Sequence, residues 1–102
     1  MNEQTAELDQ VYVPTRNVVA RRIEKELIIV PLVSGIGDAE DELYSLNETG
    51  EQVWKLLDGK RTLEQVMAAL CELYTADLEV IRRDVVGLMT ELLRRKIVET
   101  RS

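Results

Sequence analysis

The 102-residue chain has no histidine, no phenylalanine and one cysteine, Cys71. Without imidazoles there is no histidine acid–base chemistry. With a single thiol, neither a disulfide framework nor a Cys/His zinc site can be assembled. One Trp and three Tyr are the only aromatic residues, so the core must be aliphatic. The longest apolar run, Leu27 to Val33, falls far short of the ~20 residues of a membrane-spanning helix. The first ten residues are polar and acidic, unlike a secretory signal. Basic charge is also short, with 13 Lys and Arg against 19 Asp and Glu and a net of −6. A bulk nucleic-acid binder usually carries the opposite sign. What is present is 45% hydrophobic residues, sufficient for one core in a chain of this length. These features predict a small cytoplasmic domain without membrane or nucleic-acid partners, catalytic residues, metal or cofactor.

Residues 1–10 lack any hydrophobic period and are expected to form a flexible tail, with one domain over 11–102. Val18–Ile23 and Leu27–Val30 are rich in β-branched side chains and read as strands joined at Glu24-Lys25-Glu26. Gly35, Gly37 and the acids Asp38, Glu40 and Asp41 mark a loop. Leu43–Leu46 follows as a third short strand, with Tyr44 and Leu46 on one face and Leu43 and Ser45 on the other. Three helices come next. Asn47 caps the first, Thr62 and Gln65 form a capping box for the second, and Asp77 caps the third, which is expected to reach about Lys96. Ile97–Thr100 reads as a final β segment. The order predicts an α+β, winged helix-turn-helix-like fold, with a three-stranded antiparallel sheet followed by three helices.

Few residues carry chemistry. Cys71 has acidic neighbours in sequence and no base to activate it, so it reads as a packing residue. The acids at 38–42 lack the ligand spacing of an EF-hand, and no Lys-Ser/Thr pair follows Gly35-Ile36-Gly37. Residues 78–102 hold six Lys and Arg against four acids, which raises the alternative of a winged-helix DNA-binding regulator. Cations at a helix C-terminus, with Glu91 and Arg95 as an i,i+4 pair, account for the same pattern. The third helix also carries two apolar stripes. One runs through Ile81, Val85, Leu88 and Leu92, and the other through Val86, Met89 and Leu93. Together they span about 160°, wider than a surface helix needs to cover a core.

Leu46-Asn47-Glu48-Thr49-Gly50, followed by Leu56-Leu57-Asp58-Gly59-Lys60-Arg61-Thr62, resembles the hallmark segment of PqqD-like proteins. Asp84-Val85-Val86-Gly87-Leu88-Met89 extends the similarity, which covers about residues 12–99. The resemblance implies a non-catalytic, winged-helix-like recognition element that binds the leader of a ribosomally made precursor peptide. It further implies presentation of that leader to a modifying enzyme, often a radical SAM protein. In the namesake pathway the product is pyrroloquinoline quinone. The leader lies in such proteins as an added strand beside the third strand and against the third helix.

The residues themselves permit that role. An open strand edge is a template for another chain, and apolar positions on a neighbouring helix supply side-chain pockets. The expected peptide-binding residues are Leu43 and Ser45 on the strand, and Arg82, Val86, Met89 and Leu93 on the third helix. Arg82 and Arg83 are expected to attract an acidic peptide. A homodimer formed through the same edge is the competing use of it.

Overall fold

The computed structural model describes residues 6–32 and 44–101. Strands β2 (Val18–Ile23), β3 (Glu26–Pro31) and β4 (Tyr44–Leu46) form an antiparallel sheet in the order β2-β3-β4. Register pairs Arg21 with Ile28 and Ile28 with Ser45 across the three strands. The hairpin turns on Glu24 and Lys25, with Glu24 in the left-handed region at φ 58°. Alternation turns Leu27 and Ile29 of β3 and Leu46 of β4 into the core, while Ser45 stays exposed on the outer face.

Helices α1 (Glu48–Leu56), α2 (Leu63–Tyr74) and α3 (Leu78–Arg94) begin at the three expected caps. Asn47 Oδ1 accepts from the Gly50 N–H at 2.8 Å, and Thr62 and Gln65 make both bonds of the capping box. Asp77 Oδ1 accepts from the Glu79 N–H at 3.1 Å. α3 stops at Arg94, two residues before the expected end, because Lys96 adopts φ 63°. Its N–H then donates to the Leu93 carbonyl, and that of Ile97 to the Leu92 carbonyl, closing a Schellman motif. Ile81, Val85, Met89 and Leu92 form the buried stripe of α3, packed with Val53 of α1 and Leu63, Val66 and Leu70 of α2. The outcome is the α+β, winged-helix-like arrangement expected, with the sheet ahead of the helices.

A second, two-stranded sheet pairs β1 (Tyr12–Pro14) with β5 (Val98–Thr100). Within the stretch expected as a tail, residues 6–10 are docked on the domain. The Leu63 and Glu64 N–H groups, unsatisfied donors at the start of α2, donate to the carbonyls of Gln10 and Leu8 at 2.9 Å. Ala6 is buried, and its N–H donates to Thr90 Oγ1 of α3. A periodicity argument could not find this segment, since its attachment runs through backbone groups.

Candidate functional site

β4 is the outer strand of its sheet, and its second edge pairs with no strand among the described residues. The strand runs antiparallel to α3. At one end, the Arg95 guanidinium lies over the Tyr44 ring, 4.9 Å from its centroid. At the other, Asn47 and Thr49 share a cleft of about 350 Å³ with Asp84, Val85 and Leu88 of α3 and with Gly50 and Val53 of α1. The flank of α3 nearest β4 is therefore Asp84, Leu88, Glu91 and Arg95, spaced i, i+4, i+7, i+11 along one stripe.

The C-terminal end of this flank is an ionic clamp. Glu91 Oε2 accepts from Arg94 Nη2 and from Arg95 Nε, each at 2.6 Å. The hydrogen bonds from Arg94 and then Arg95 hold the Glu91 carboxyl down to about 2. Burial pushes the Tyr44 phenol up, helped by Glu91 and opposed by Arg95. Arg94 and Arg95 are thus engaged within the fold, the latter through the expected i,i+4 pairing with Glu91.

The cleft at the other end sets Leu88 among polar groups. Val53 and Val85 are fully buried beneath it and Leu88 is half-buried. Asp84 is exposed at the rim, and neither an ion pair nor a hydrogen bond engages it among the described residues.

The expected site residues do not converge on this edge. Leu43 lies outside the described residues. Ser45 is on β4, but its hydroxyl turns to the outer face and donates to Glu26 Oε1 at 2.8 Å. Arg82 sits across the helix from Asp84 and pairs with Glu79 at 4.0 Å. Met89 is 0% exposed at the centre of the core and cannot wall a groove. Val86 and Leu93 share a stripe with Thr90, the residue that holds Ala6, so they face the N-terminal segment rather than β4. Leu93 in fact lines a separate cleft of about 620 Å³ with Thr15, Arg16, Lys96 and Val98. On this side of α3 the Ala6 N–H reaches Thr90 and Leu93 lies beside Val98 of β5, while Val86 stays half-buried. Asp84, Leu88, Glu91 and Arg95 were missed as a set, although their common stripe was visible as spacing.

Known proteins are similar to this chain in sequence and in fold. The structure of TbiB1 in complex with the TbiA(β) leader peptide superposes with a TM-score of 0.70 at 21% identity, covering 88% of this chain and 98% of that one. The PqqA binding protein of Gluconobacter oxydans is 29% identical over 65 residues, 64% of this chain and 68% of that protein. The bifunctional coenzyme PQQ synthesis protein C/D of Methylorubrum extorquens is 28% identical over 61 residues, 60% of this chain but 16% of that longer protein. The sequence profile of the family described as coenzyme PQQ synthesis protein D (PqqD) matches residues 26–98, from β3 through the three helices to β5, so the chain belongs to the PqqD family.

Proposed function

We propose that this domain is a non-catalytic recognition element that binds the leader of a ribosomal precursor peptide as a strand added to β4. The observation that carries the reading is the edge of β4 that no strand among the described residues pairs, lying alongside the Asp84–Arg95 flank of α3. Backbone pairing along the edge supplies affinity with little sequence demand, and the cleft supplies a side-chain pocket. An antiparallel addition, the better-paired geometry, runs in the same direction as α3. The relatives support a peptide as ligand, one being named for binding PqqA and another solved with a leader peptide.

In this role the bound leader is handed, in the cytoplasm, to a modifying enzyme, of the radical SAM type, within pyrroloquinoline quinone biosynthesis or a related peptide-modifying pathway. Nothing in the recognition step needs a catalytic side chain. Titrating the labelled domain with the precursor peptides encoded beside its gene tests the reading. Amide shifts confined to 44–49 and 84–95 are expected. Shifts restricted to other surfaces, or none at all, would refute strand addition at β4.

A further inference from the structure

The cleft beside the end of β4 is built for one kind of side chain. Its accessible apolar surface is the half-buried side chain of Leu88, which stands over the fully buried Val53 and Val85. Its rim carries a carboxylate at Asp84, with the Thr49 hydroxyl and the Asn47 amide as the other polar groups. Among the described residues Asp84 has no cationic partner, whereas Glu91 two turns along is taken by Arg94 and Arg95. The N-terminus of α1 does not reverse the sign of the rim. Asn47 Oδ1 already accepts the Gly50 N–H, and Glu48 and Glu51 stand in the first turn.

From this we infer that the cleft selects a lysine or arginine of the bound peptide, with its alkyl stem on Leu88 and its head on Asp84. A long stem ending in a cation matches an apolar Leu88 one turn from an exposed carboxylate, because the stem is desolvated while the head stays wet. An acidic residue at the same point would meet Asp84 as a like charge. This reverses the sign expected of the peptide from Arg82 and Arg83, since Arg82 lies on the other flank. The inference rests on the strand-addition reading and refines it. Antiparallel pairing sets the selected cation in the N-terminal part of the bound segment, ahead of the residues opposite Tyr44 and Arg95.

A displayed library of random peptides of about ten residues, selected on the full chain, provides the test. Binders that shift the amides of 44–46 should be enriched in Lys or Arg at one position. The preference should vanish with Asp84→Asn and turn to Asp or Glu with Asp84→Lys. Replacing the selected Lys by norleucine should weaken binding about fivefold against the native chain and leave Asp84→Asn unaffected. Edge binders without a positional cation, or with one that persists in Asp84→Asn, overturn this assignment and leave strand addition standing. Selection yielding no peptide that shifts 44–46 overturns both. Asp84 is exposed, so these variants fold.

Discussion

Arg95 lies over the ring of Tyr44 while its Nε donates to Glu91, so one side chain fastens the edge strand to the last turn of α3. Among the described residues β4, three residues long, has one neighbouring strand, so this attachment adds to the β3 pairing and the burial of Leu46 in holding it. The same contact defines one end of the edge at which a peptide would dock.

Arg95→Ala should therefore cost about 1–2 kcal/mol, combining the lost cation–π contact with a charge-assisted hydrogen bond. Urea unfolding measures the cost. Hydrogen exchange should show faster opening of Tyr44 and Ser45 than of α2, and equal acceleration everywhere would mean that the contact does not anchor β4.

Two adjacent substitutions on α3 should separate core from cleft. Met89→Asp places a carboxylate in a fully buried site, at a cost of several kcal/mol that rivals the stability of a domain this small. Its cooperative thermal transition should be lost. Leu88→Gln keeps the length of a half-buried side chain at the cleft. It should leave a folded domain with weakened peptide affinity, checked by circular dichroism and by titration.

Acid should loosen the clamp. The Glu91 carboxyl is held at about 2 in the folded protein against an ordinary value of 4.5, so the unfolded chain binds its proton first. Its contribution is complete above about pH 4.5 and disappears as the pH falls toward 2. Arg94 is exposed and Glu91 partly so, although Arg95 is mostly covered, and screening keeps the effect to about 1 kcal/mol or less. Glu91→Gln should flatten this part of the stability–pH curve. A curve of unchanged slope between pH 4.5 and 2 would contradict the assignment.

The two helical glycines should respond oppositely to alanine. A Cβ on Gly87 would meet nothing within 4 Å, so Gly87→Ala should stabilise by about 1 kcal/mol through helix propensity. On Gly50 it would come within 3.2 Å of both Asn47 Oδ1 and Leu46 Cδ2, a cap and a core residue with little room to yield. Gly50→Ala should destabilise by about 1 kcal/mol despite the same propensity gain. Chemical denaturation of the pair reads both signs.

Local physics made much of this fold legible in advance. Asn47, Thr62 with Gln65, and Asp77 satisfy helix N-termini within three residues of themselves, so their roles are written in the adjacent sequence. The β-branched runs at 18–23 and 27–30 pair across a two-residue turn for the same reason. The motif at 46–62 carried the family assignment. What the sequence could not decide was the neighbour of each flank of α3. Helical periodicity fixes the angle between Met89, Leu93 and Asp84 but not which element covers each of them. Contacts between distant parts of the chain, Ala6 with Thr90 and Tyr44 with Arg95, turned Val86 and Leu93 away from the open edge and brought Asp84 and Leu88 to it.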